Sequence, residues 1–80
     1  MHHDLKTVQP FFSRVDSGEK TFEFRFNDRD FQTGDTACLR EYDPKTDTYP
    51  GSTIFVNITY VLKEFKGIEA GYCIFGFIKQ

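Results

Sequence analysis

The sequence predicts a mainly β (α+β) domain, a small β-barrel of about five strands with one short N-terminal helix packed on it. Three observations lead there. Thr21–Phe26 and Ser52–Leu62 alternate with the period of a strand. Ten Phe and four Tyr in 80 residues supply large apolar areas, which suits a small barrel better than a small helical bundle. One segment only, Val8 to Asp16, places apolar residues at helical spacing.

The elements follow in order. Leu5 and Lys6 lie in a lead-in compatible with a first strand but too brief to assign alone. Pro10 marks a helix start, because proline is tolerated in the first turn and preorganises φ. Val8, Phe11, Phe12 and Val15 share a face of that helix, and Gly18 suits its C′ position. About two turns long, it must pack its Phe pair on something to be stable. In the next strand Phe22, Phe24 and Phe26 take one face and are read as core, while Thr21, Glu23 and Arg25 take the other. Turn chemistry fills Asn27–Asp30 and Thr33–Asp35 around Phe31. Thr36–Tyr42 reads as a strand and Asp43–Gly51, with two prolines and a glycine, as the tip of a long hairpin. In Ser52–Leu62 the residues Ile54, Val56, Ile58, Tyr60 and Leu62 share one parity. Lys63–Gly71 is a loop or one helical turn. Tyr72–Ile78 is the last strand, with Gly76 where a barrel bends or a backbone comes close. Barrel closure removes exposed edges.

The length allows one domain, residues 1–80. Ten basic against twelve acidic residues give a net charge of -2, which argues against coating of duplex DNA. A local basic pocket for one nucleotide or a short single strand remains compatible with it. Two cysteines, Cys38 and Cys73, are too few for a disulfide framework, so reduced thiols are the expectation, with a cross-strand disulfide as the alternative. There is no 18-residue apolar run and no signal-peptide pattern, so a soluble, cytoplasmic chain is expected, with no membrane partner. His2, His3, Cys38 and Cys73 lack metal-ligand spacing, and the histidines are read as sitting at a frayed terminus without an orienting partner. No metal, no cofactor and no catalytic triad are expected, and no glycine loop is built to cradle a phosphate.

The polar cluster of interest is Gly18-Glu19-Lys20-Thr21-Phe22-Glu23-Phe24-Arg25, a G-x-K-x-x-E-x-R run. It places Glu23 and Arg25 side by side on one strand face, with Lys20 at the strand entry after a glycine that can turn the backbone. Two readings are open. The pair is a structural ion pair of little worth if exposed, or Arg25 orients Glu23 to accept hydrogen bonds from a base edge while Lys20 meets a phosphate or carbonyl. Arg40 is a further basic candidate. Tyr42 and Tyr49 flank the hairpin tip, where an exposed aromatic can stack on a base, although such tyrosines are often rim or core residues.

The order helix, G-x-K-x-x-E-x-R strand, charged loop and G-D turn into Leu39-Arg40-Glu41 resembles the ASCH domains of the PUA-like superfamily. It is closest to a small bacterial and phage subgroup of unassigned function. His3-Asp4-Leu5-Lys6, the N-D-R-D-F-x-x-G-D run from Asn27 to Asp35, the L-R-E-aromatic-D-P-K-T run from Leu39 to Thr46, and Gly71-Tyr72 carry the match over nearly the whole chain. The resemblance implies a PUA-like barrel with a cleft between helix and barrel that accepts RNA or a nucleotide. It places the motif residues Lys20, Glu23 and Arg25 on the cleft wall. Some relatives are amidohydrolases acting on N4-acetylcytidine through a motif Lys, a Thr three residues later and a Glu in a later segment. Here Lys20 matches, but Glu23 stands at the Thr position, and Lys63–Gly71 offers no counterpart of the later Glu.

The sequence therefore leads to an RNA- or nucleotide-binding module acting without chemistry through Lys20, Glu23 and Arg25, with Arg40 and Tyr42 as further contacts. The alternatives are an amidohydrolase acting on a modified nucleoside, and a phage or bacterial protein-interaction module using the 43–51 hairpin.

Overall fold

In the computed structural model, which describes residues 1–80, the chain forms β1 (His2–Thr7), α1 (Phe11–Asp16), β2 (Phe22–Phe26), β3 (Thr36–Glu41), β4 (Thr53–Lys63) and β5 (Tyr72–Lys79). All five strands join one sheet in the order β1-β3-β4-β5-β2. β1 runs parallel to β3, and every other neighbouring pair is antiparallel. The architecture is mainly β with one short helix, but the sheet is a curled half-barrel. No ladder joins the two outer strands, β1 and β2.

The gap between those strands is bridged by side chains instead. Arg25 Nη2 on β2 donates to the carbonyl of Lys6, and Arg29 Nη1, just after β2, donates to the carbonyl of Asp4 at 2.6 Å. Both carbonyls lie on the free edge of β1, because Tyr42 N–H already pairs the alternate carbonyl of Thr7 on the β3 side. Guanidinium groups thus occupy acceptors that a neighbouring strand would use in a closed barrel.

The two-residue lead-in proves to be a full strand. Its burial alternates, with His3, Leu5 and Thr7 pointing inward, and its register pairs Leu5 with Leu39. The histidines are therefore not frayed. His3 is buried, its Nε2 lies 2.8 Å from Asp35 Oδ2, and the Met1 amine reaches Asp35 Oδ1 at 3.1 Å.

Pro10 is the N-cap residue of α1, and Gln9 reaches in to accept from the Ser13 N–H at 3.2 Å. Gly18, at φ +85, ends the helix as its C′ residue. Its left-handed turn folds the chain back until Lys20 N–H donates to the Arg14 carbonyl at 3.0 Å. Phe12 and Val15 press into a core that includes Leu5, Phe31, Leu39, Val56 and Phe75. Phe11, expected beside Phe12 in the core, is about half exposed.

Two parity readings are corrected. On β2 the alternation is as expected, but inside and outside are exchanged: Phe22, Phe24 and Phe26 are 49%, 52% and 56% exposed, while Glu23 is 6% exposed. The outward rings of Phe24 and Phe26 pack on Tyr72 of β5. Phe24 stacks on that ring at 5.6 Å and Phe26 meets it edge-on at 5.5 Å. On β4 the register slips between Ile58 and Tyr60, a bulge that turns Tyr60 outward and sets Val61 against the core. Gly76 lies opposite that slip, paired with Tyr60 on one side and Phe22 on the other. Lys63 still belongs to β4 and 64–71 is loop, with Glu64 and Gly67 at positive φ. Cys38 and Cys73 are buried and unbridged, and burial pushes both thiols above their usual pKa.

Candidate ligand-binding cleft

The curled sheet and α1 leave an open cleft of about 890 Å³ along the seam where β1 and β2 fail to pair. Three features of the chain build it. The turn at Gly18 brings Lys20 to the mouth. The parity of β2 aims Glu23 and Arg25 at the concave side. The end of β1 supplies Lys6 and Thr7.

Glu23 is the centre. Its Oε1 accepts from Lys20 Nζ at 2.7 Å and its Oε2 from Arg25 Nε at 3.1 Å. Lys20 is held from several sides. Its ammonium also donates to the Phe22 carbonyl at 2.6 Å and lies 5.1 Å from the Phe22 ring centroid and 5.8 Å from that of Phe11. Arg25 continues from Glu23 to the Lys6 carbonyl, so one guanidinium both orients the carboxylate and ties β2 to β1. A buried carboxylate between two cations is a fixed acceptor, because each of its oxygens is held by a charge-assisted bond.

The strand edge adds backbone groups. The β2–β5 register pairs the odd-numbered residues of β2 for hydrogen bonding, as the Phe77 N–H to Thr21 carbonyl bond shows. The N–H and C=O of Phe24 therefore point to the unpaired edge that borders the cleft. The lining also takes in the rings of Phe11, Phe22, Phe24 and Tyr72, with Phe22 and Phe24 on the outward parity of β2.

The structure brings Lys20, Glu23 and Arg25 together as the motif suggested. It places Arg40 and Tyr42 elsewhere, outside the lining of the cleft. The Arg40 guanidinium lies 4.1 Å over the Tyr49 ring, and Tyr49 packs against Tyr42 at 5.2 Å. The Tyr42 hydroxyl donates to Asp47, a bond that raises the phenol above its ordinary pKa. Lys6 connects the two places, lining the cleft while its ammonium sits 4.5 Å over the Tyr42 ring.

Thr7 is a cleft residue that the sequence pattern did not single out. It is 3% exposed, and its Oγ1 is the one buried side-chain polar atom with no hydrogen-bond partner. The alternation of His3, Leu5 and Thr7 is the signal that leads to it, but only once β1 is known to be a strand. No three His, Cys, Asp or Glu side chains converge as a set of metal ligands. No helix is long and apolar enough to cross a membrane.

The profile of a family described as a domain of unknown function (DUF3850) matches residues 2–77, from the start of β1 almost to the end of β5, and the chain belongs to that family. No curated protein matches the chain.

Proposed function

We propose that this member of the DUF3850 family is a PUA-like domain of the ASCH type that binds RNA or a nucleotide-like ligand in the cleft, in the cytoplasm, by recognition without chemistry. The observation that carries this reading is Glu23, a 6%-exposed carboxylate whose two oxygens are each held by a cation in a cleft whose lining includes exposed rings. Burying a charge is costly, and nothing in the hydrophobic core requires one at this position. A fixed acceptor in a cleft that also carries aromatic rings suits a nucleobase, because its N–H groups seek an acceptor and its faces seek a ring.

The roles follow from position. Glu23 accepts from an exocyclic amine or ring N–H, Arg25 holds Glu23 in place, and Lys20 meets a carbonyl or phosphate. The chain is net acidic, yet Lys6, Arg14, Lys20 and Arg25 outnumber the three carboxylates that line the cleft, so the local field suits a phosphate-bearing ligand. A strand longer than one nucleotide has a second platform at Tyr42, Tyr49 and Arg40, reached by way of Lys6.

The test is an NMR titration of isotope-labelled protein with short single-stranded RNAs and with mononucleotides. Shifts are expected at Lys20, Glu23 and Arg25, and Lys20→Ala is expected to weaken binding about tenfold or more. A spectrum unmoved by millimolar nucleotide and by RNA overturns the reading.

A further inference from the structure

We infer that the outward face of the sheet over β2, β5 and the end of β4 is a dimer interface, and that its occupant is a second copy of this chain. The inference is independent of the nucleotide reading, because Glu23 and Arg25 take the opposite parity of β2.

Strand alternation and register assemble this face. On β2 its positions are Phe22, Phe24 and Phe26, each about half exposed. The ladder sets Phe26 beside Tyr72, Phe24 beside Ile74 and Phe22 beside Gly76 on β5. On the far side of β5, the slip in β4 sets Leu62 beside Ile74 and Tyr60 beside Gly76. Ile78 extends the face along β5. None of these positions carries a charge, whereas the outward positions of β1 are His2, Asp4 and Lys6.

Area, charge and shape identify the occupant. Tyr60 is 65% and Ile78 58% exposed. Together with the three phenylalanines they leave about 500 Å² open, taking roughly 200 Å² for a whole aromatic residue. That is toward the upper end of the largest apolar patch on an ordinary monomer, about 300–600 Å². A specific interface needs about 1,000 Å² summed over both partners, and two copies of this face supply it to each other. With no charge on the face, there is no complementary potential to recruit an acidic or a basic partner. A copy of the same face needs none, since an isologous contact sets one patch against itself. The net charge of -2 is too small for strong repulsion between copies. Gly76 supplies the relief. It has no side chain between the outward rings of Phe22 and Tyr60, and a Cβ there would meet only Thr59 Oγ1 at 3.5 Å and the Thr21 carbonyl at 3.9 Å. A face that carries both projecting rings and a gap is self-complementary, because a ring of one copy seats in the gap of the other.

The experiment is sedimentation equilibrium of the full chain over a concentration series, with NMR spectra of isotope-labelled protein on dilution. The β2 rings also border the cleft, so the variants are Tyr60→Glu and Ile78→Lys, which do not line it. Tyr60→Phe, which keeps the ring, is the conservative control. The mass of the wild type is expected to rise from 9.4 kDa toward twice that value between micromolar and millimolar protein. Dilution shifts should concentrate on the outward positions of β2, β5 and the end of β4. Each charged variant is expected to weaken the dimer about tenfold or more, because it buries an unpaired charge in the interface. Both should melt close to wild type when dilute, since both replace exposed side chains. Tyr60→Phe is expected to retain the dimer.

A single 9.4 kDa species at every concentration overturns the inference, and so does a monomer whose resonances on this face move only with added RNA or lipid vesicles. Undiminished dimerisation in both charged variants, or dilution shifts confined to another surface, overturns the placement on this face. Nucleotide binding at Glu23 and Arg25 is read in a separate titration, so failure of either reading is distinguishable from failure of the other.

Discussion

Two buried carboxylates, Asp35 and Glu23, each lie between two basic groups, and they do different work. Asp35 is sealed in the fold. Its oxygens accept from the Met1 amine at 3.1 Å, His3 Nε2 lies at 2.8 Å, and the Gln32 N–H donates at 3.0 Å. His3 in turn packs edge-on against Phe31 at 4.8 Å, and Phe31 is among the most deeply buried side chains. Glu23 has only two donors, both from side chains that reach the solvent, and it opens on a cleft. A carboxylate with three of its roughly four acceptor positions filled, sealed in the fold, is structural. One with acceptor positions left over, facing space, is available to a ligand. The strand β1 repeats the lesson on a smaller scale, since His3 is paired, Leu5 is core and Thr7 is buried without a partner.

The widest separation between the two sites is expected in stability. Asp35→Ala removes the shared partner of three donors and leaves His3 buried without it. A loss of about 3–5 kcal/mol is expected in urea unfolding, a large part of the stability of a domain this size. A loss below about 1 kcal/mol breaks the contrast by showing that Asp35 is not structural.

The pH dependence sharpens the same point. The bond with His3, helped by the Gln32 N–H and the N-terminal amine, holds the Asp35 carboxyl down at about 2, against the opposing pull of burial. A depressed carboxyl stabilises the fold above its unfolded value of 3.8. That contribution fades as pH falls from there through about 2. It amounts to at most about 2–3 kcal/mol, because each tenfold change in a group's proton affinity corresponds to roughly 1.4 kcal/mol. Acid titration of stability in wild type and Asp35→Asn should differ in this window, and superimposable curves remove the assignment.

Glu23→Gln is expected to show the opposite balance. The cost in stability should be about 1–3 kcal/mol, because Lys20 and Arg25 can turn to water, whereas nucleotide affinity should fall at least about tenfold. A variant that unfolds as readily as Asp35→Ala but binds normally reverses the comparison. Arg25→Lys is expected to cost about 1 kcal/mol and to weaken binding, since an ammonium cannot reach Glu23 and the Lys6 carbonyl with one planar fork. The smallest effect belongs to Tyr42→Phe. It loses an exposed bond to Asp47 outside the cleft, so stability should move by less than about 0.5 kcal/mol and mononucleotide affinity not at all.

Strand periods, the helix between Pro10 and Gly18 and the hairpin between β3 and β4 were legible in the sequence, because each depends on neighbours a few residues apart. So was the association of Lys20, Glu23 and Arg25, which a tight turn and one strand's parity bring together locally. Which face of β2 is inside was not legible. Alternation specifies two faces but not which one the rest of the chain will cover, and hydrophobicity alone puts the phenylalanines in the core. The reversed side of Tyr60, the pairing of His3 with Asp35 across 32 residues, the removal of Arg40 and Tyr42 from the cleft, and the place of Thr7 in its lining were likewise settled by long-range packing. By itself the sequence determined the elements and the local charge cluster. Only the tertiary structure decided that Glu23 is buried, that β1 and β2 stay apart, and that the gap between them is a cleft. Burial and strand pairing are properties of residues far apart in the chain, and no local pattern encodes them.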